Sequence, residues 1–205
     1  MEYKTQREKA IAEIEGTISR RRAEHIYAVE EEAIFLASKL CREENIEAIS
    51  IAALLHDITK EKTFEENLKL CDECGIILSD DDLASPKVLH GKSAAGVARR
   101  DYELEKPYCD AVFYHTTGRA NMTLAEKIIY LSDYIEKTRT HDNCIKARKM
   151  LHSRLSGSIE NRIKALDETI LFTLGNTYDY LARRGLTVHP DSRAAMIFFK
   201  ETVTR

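Results

Sequence analysis

Apolar residues in this chain recur three and four positions apart almost from end to end, and little interrupts them. Val29, Ala33, Leu36, Ala37 and Leu40 show the pattern: they form one helical stripe, with His25 a turn ahead of it. Only eight Gly, three Pro and six Val occur in 205 residues, so chain breakers and β-formers are both scarce. A sequence of that kind buries its apolar faces as packed helices, and the fold class expected is all-α. The spacing predicts about ten helices: 5–19, a second through 29–40, 47–58, 63–74, 86–102, 107–115, 123–137, 142–151, 158–184 and 190–203. Pro86, Pro107 and Pro190 each fall where a helix can start, with Ser85 a candidate cap.

The length suits one domain over 1–205, with no linker, repeat or low-complexity tract to divide it. A formal charge of −3 gives no excess of positive charge for gripping bulk nucleic acid. The chain opens on the charged stretch from Glu2 to Lys9, and no run of 18 apolar residues follows. Neither a secretory signal nor a membrane span is therefore expected, and a cytoplasmic protein is. Five scattered cysteines are read as reduced thiols; Cys71 and Cys74 lack the second C-x-x-C that a structural zinc site would need.

The chemistry concentrates where polar residues interrupt apolar helices. The segment 47–58 is apolar on most sides and should be the central rod, yet it closes on His56 and Asp57. A buried carboxylate without a partner costs several kcal/mol, which a metal ion would offset. Alone, such a pair is more often a helix-terminal hydrogen bond. But His25, His90 and His115 also stand at helical offsets from apolar residues, and Asp133 interrupts the run from Ile128 to Ile135. Together, four imidazoles and two carboxylates make a donor set that iron, manganese or zinc accepts. His141 and His152 lie among polar residues and read as solvated, and His189 reads as a helix cap.

The order H…HD…H…H…D resembles the HD superfamily of metal-dependent phosphohydrolases. The segments RAEH (22–25), LLHDITK (54–60), LHG (89–91), HTTGR (115–119), LSDYIE (131–136) and VHPD (188–191) are similar to the YqeK-type subgroup, the symmetrical bis(5′-nucleosyl)-tetraphosphatases. Ser132 stands where that family usually has Ala, and Arg139 lacks the Pro that commonly precedes it. The resemblance implies a single helical HD-type domain around a buried metal site, with a motif-bearing core about 20–140 and a C-terminal helical portion about 141–205. It implies that His25, His56, Asp57 and Asp133 hold a first metal, with Asp57 able to bridge to a second. His90 and His115 then hold that second ion or bind phosphate. Lys60 joins Asp57 as catalytic, and Arg22, Thr59, Lys60, His90, His115, Thr116, Thr117, Gly118 and Arg139 are the substrate-binding set. Iron is the metal implied, with manganese or zinc as alternatives, and one or two ions.

The reaction implied is symmetrical cleavage of diadenosine tetraphosphate or a related nucleotide, with ADP or GDP as product. The alternatives are another HD nucleotide hydrolase, acting on deoxynucleotides or guanosine alarmones, and a non-catalytic nucleotide-binding module. The intact donor set argues against the last. A homodimer is an option that the sequence leaves open.

Overall fold

The computed structural model describes residues 2–41 and 45–204. Its elements are α1 (Tyr3–Thr17), α2 (Arg20–Leu40), α3 (Ile46–Leu55), α4 (Phe64–Glu73), α5 (Asp80–Leu83), a 3-10 turn (Pro86–Val88), α6 (Leu89–Tyr102), α7 (Lys106–Phe113), α8 (Leu124–Ile135), α9 (Asp142–His152), α10 (Ile159–Arg183) and α11 (Pro190–Thr204). No strand occurs among the described residues, as the period of the sequence requires. Capping residues set most starts: Ser19 accepts from Arg22 N, Asn45 from Glu47 N, and Thr63 and Thr123 form capping boxes with Glu66 and Glu126. Ser85 makes no cap bond, and Pro86 opens a 3-10 turn instead of α6. The short α5 carries no apolar stripe; Ser79 and three consecutive aspartates hold it as a capped single turn.

Helix α3 is the central rod, every residue from Ala48 to Leu55 being buried. It packs against α1, α2, α6, α7 and α8, so whatever follows Leu55 emerges in the middle of the molecule. The α-helix ends three residues before the expected Ile58. The His56 ring bonds to the Ala53 carbonyl at 2.6 Å, taking the acceptor that the next helical N–H would use. The chain then continues in tight turns, with Ile58 N bonded to Leu55 O and Lys60 N to Asp57 O. Helices α9 to α11 cover the far side, α10 against α2, α8 and α9, and α11 against α10.

Candidate active site

The end of α3 meets four other segments. The second turn of α2 supplies His25, the start of α6 His90, the turn after α7 His115, and the last turn of α8 Asp133. Their ring and carboxylate atoms form three overlapping groups, each within 4.8 Å: His25, His56 and Asp57; His56, His115 and Asp133; Asp57, His90 and His115. Asp57 joins the two halves. Its Oδ2 lies 3.7 Å from His25 Nε2 and 3.6 Å from His56 Nε2, while its Oδ1 lies 3.0 Å from His90 Nε2 and 3.5 Å from His115 Nε2. Asp133 Oδ1 is 3.1 Å from His25 Nε2 and 4.0 Å from His56 Nε2. The rings of His25 and His56, His56 and His115, and His90 and His115 stand edge to face.

Three inward atoms lack a well-aligned hydrogen bond: His56 Nε2 has no partner, while His25 Nε2 and Asp57 Oδ1 meet Asp133 Oδ1 at 3.1 Å and His90 Nε2 at 3.0 Å out of line. Native interiors rarely leave such atoms unsatisfied. A divalent cation would satisfy all three, and imidazole with carboxylate is a donor set it accepts. Protonation states agree. Burial lowers His56 and His90 to about 4, so both are neutral near pH 7, as ligands must be. Burial alone would raise Asp57, but His56, His115, His90 and Lys60 around it hold the carboxyl well below its ordinary range. Asp133 is treated alike: burial opposes ionisation, and His25 and Arg139 overcome it. His25 goes the other way, burial being outweighed by the carboxylates of Asp133 and Glu136, so its pKa is raised.

Three cations rim the cluster. Arg22 Nη1 donates to Asp57 Oδ2 at 2.7 Å, Arg139 Nη2 donates to Asp133 Oδ1 at 2.6 Å, and Lys60 Nζ stands 3.0 Å from His90 Nε2. Lys60 reaches there from a turn, not from a continued helix, and burial lowers its pKa. A cleft of about 580 Å³ opens beside them, lined by Arg22, His25, Glu61, Glu136, Arg139 and His141 among others. The turn from Thr116 to Gly118 follows His115. Gly118 has φ 63°, a left-handed conformation that favours glycine, and Ser192 of α11 donates to the Thr117 carbonyl at 2.8 Å. The Thr116 and Thr117 hydroxyls are buried without a partner. Thr59 is not on the rim: its hydroxyl donates to the His90 carbonyl at 2.9 Å and lies 2.8 Å from Ser93 Oγ, tying the exit of α3 to α6.

Sequence reasoning passed over three residues that shape the site. Glu136 is fully buried against His25; Arg148 of α9 donates to the carbonyls of Ile135, Glu136 and Arg139; Glu61 accepts from the backbone and hydroxyl of Ser19, the cap of α2. Glu136 alone carried a signal, a second acidic residue following the apolar run that holds Asp133. Two histidines settle differently from each other. His141 is exposed, whereas His152, read as solvated, pairs with Glu32 at 2.7 Å. His189 caps α11, its Nδ1 accepting from Asp191 N at 3.2 Å. Cys71, Cys74, Cys109 and Cys144 are buried thiols outside any disulfide, and burial raises Cys71 to about 11, so the Cys71 and Cys74 pair is a pair of quiet thiols.

This helical frame with its histidine and aspartate centre defines an HD domain. Residues 22–138 match the family model described as HD domain, and the chain belongs to that family, one of hydrolases that hold a divalent metal. Over most of its length it is similar to proteins named symmetrical bis(5′-nucleosyl)-tetraphosphatase. Identity is 32% with that of Halalkalibacterium halodurans, covering 92% of this chain and 94% of the relative, and 29% with that of Bacillus subtilis, covering 91% and 93%. A crystal structure from Clostridium acetobutylicum, described as a predicted HD superfamily hydrolase involved in NAD metabolism, superposes with a TM-score of 0.83 at 27% identity, covering 95% of this chain and 97% of that one.

Proposed function

We propose that this protein hydrolyses dinucleoside tetraphosphates symmetrically, releasing two nucleoside diphosphates. The observation that carries the reading is the convergence of His25, His56, Asp57, His90, His115 and Asp133 on one centre, with inward atoms that lack aligned hydrogen bonds, ringed by Arg22, Lys60 and Arg139. An anion-binding rim around a cation-binding centre suits a polyphosphate, and the names of the relatives supply its class. His25, His56, Asp57 and Asp133 would hold one metal; His90 and His115, with the second oxygen of Asp57, would hold another or meet a phosphate. We name iron as the ion, and manganese or zinc are the other outcomes of a metal analysis. A metal held there supplies an acidified water at neutral pH and offsets charge on the phosphoryl group.

The chain's own residues do the rest. Arg22 and Arg139 present guanidinium groups to phosphate oxygens from the two sides of the cleft, and Lys60 adds a point charge beside His90. Charge on both sides of the central bridging oxygen favours attack in the middle of the tetraphosphate. The 116–118 turn adds two free hydroxyls and a backbone held open by Gly118. We take residues 1–205 as one working unit, supported by Arg148 and Ser192, which reach the site from beyond residue 140. No helix among the described residues is long and apolar enough to cross a membrane, and the buried thiols of Cys71, Cys74, Cys109 and Cys144 suit a reducing cytoplasm. Chromatography of products from a panel of dinucleoside polyphosphates, dinucleotides of shorter bridge and mononucleotides tests the proposal. ADP as the sole product from diadenosine tetraphosphate is expected; AMP with ATP, or cleavage of mononucleotides alone, would overturn it.

A further inference from the structure

The histidines of the cluster differ in what holds their rings. His56 caps α3 and His115 follows α7, and the last carbonyls of a helix have no helical partner. Each ring takes one: Nδ1 of His56 is 2.6 Å from Ala53 O, and Nδ1 of His115 is 2.7 Å from Val112 O. A carbonyl only accepts, so both rings carry their proton on Nδ1 and turn a lone pair on Nε2 toward the centre. His25 has no such option. It lies in the second turn of α2, where the carbonyls around it serve the helix itself.

A carboxylate from far along the chain takes the carbonyl's place. Glu136 Oε1 lies 3.2 Å from His25 Nδ1, across 111 residues of sequence, and Asp133 Oδ1 lies 3.1 Å from Nε2, so Glu136 holds the ring proton on Nδ1 against the pull of Asp133. The Glu136 carboxylate is fixed in turn, Thr138 donating its N–H to Oε2 and its hydroxyl to Oε1. The backbone that carries it is clamped by the Arg148 guanidinium on the carbonyls of Ile135, Glu136 and Arg139. His90, at the start of α6, has neither a carbonyl nor a carboxylate on Nδ1; Lys60 stands there instead, 3.4 Å away.

We infer that Glu136 is a positioning residue that fixes His25 with its proton on Nδ1 and its Nε2 lone pair on the cluster, and that Arg148 holds Glu136 in place from α9. The inference rests on the reading of the cluster as a metal centre. Outer partners of this type govern metal affinity more than fold, and their loss weakens binding about 10- to 100-fold.

The test measures metal affinity of the full chain by chelator competition, and the His25 tautomer by ¹⁵N NMR of the metal-free protein above the imidazole titration. Glu136→Ala should weaken metal binding about 10- to 100-fold and move the His25 proton toward Nε2, where Asp133 accepts it. Glu136→Gln, which keeps an acceptor oxygen, should restore most of both, and Arg148→Met should weaken binding by a smaller factor. Affinity within about twofold of wild type in Glu136→Ala, with the tautomer unchanged, would overturn the inference. Should that variant not fold, Thr138→Val at an exposed position carries the test: weaker binding supports the inference, and unchanged binding overturns it. A wild-type chain that takes up no divalent metal overturns the metal-centre reading itself, an outcome distinct from an indifferent Glu136→Ala.

Discussion

Two buried polar clusters lie a few residues apart in this molecule, and they differ in whether they are complete. Around Asp82, four donors saturate one carboxylate: the Ser79 N–H and hydroxyl on Oδ2, each at 2.8 Å, and Lys92 at 2.9 Å and His189 at 3.1 Å on Oδ1. His189 receives the Asp191 N–H on its other nitrogen, and Lys92 also lies 3.9 Å over the Phe113 ring. Every charge there has its opposite within the protein. Around Asp57, by contrast, two carboxylates and four histidines converge and three inward atoms find no well-aligned hydrogen bond. Burial is alike in both, so burial does not mark a functional site. Several donors converging without aligned partners do, because such groups are costly unless a ligand completes them; lone unsatisfied atoms such as Gln6 Oε1 or the Ser132 hydroxyl do not.

The comparison breaks hardest at Asp57. Asp57→Ala should lose bound metal and turnover together while circular dichroism still shows a helical protein. A folded variant retaining wild-type hydrolysis would falsify the assignment. Next comes the saturated cluster, where the effect should fall on stability instead. Lys92→Met strands a buried carboxylate and should cost about 3–5 kcal/mol in urea unfolding, with metal content per folded molecule unchanged. Its pH signature has a definite sign. Burial would raise the Asp82 carboxyl, but Lys92 and Ser79 bring it from 3.8 down to about 2. A depressed pKa contributes stability that is complete above the unfolded value and is lost as pH falls through the folded one. About 2 kcal/mol should therefore disappear between about pH 4 and pH 2, read as the stability difference between wild type and Asp82→Asn.

The two outer histidines of the metal cluster sharpen the contrast within it. His115 is locked like His56, whereas His90 is not, so His115→Ala should lose more metal than His90→Ala, though both slow turnover. Equal metal content in the two variants would show that the ring lock is incidental. The smallest effect is expected at Ser132, whose hydroxyl is buried without a partner beside Asp133. Ser132→Ala removes an unsatisfied group and should leave stability unchanged or raise it by up to about 1 kcal/mol, measured by thermal unfolding. A clear loss would mean that the hydroxyl has a partner in solution.

Spacing along the chain was enough to show that it is helical, where most helices run, and which histidines and aspartates are out of place on apolar faces. Those properties are local: they depend on residues three and four apart and on the cost of burying charge, and both can be read along one strand of text. The sequence also supplied Arg22, Lys60 and Arg139 as cations near the motifs. What it could not give was the state of each group once packed. His189, read as a cap, does cap α11 but is also held by Asp82 from 107 residues away, and His25, read as a ligand, meets Asp133 on Nε2 and leans on Glu136 from 111 residues away. The end of α3 at Leu55, the inward turn of Thr59 and the Arg148 clamp were likewise decided by tertiary contacts. The reason is physical. Periodicity says which face is buried, whereas hydrogen bonding depends on which distant atoms the packing delivers to that face.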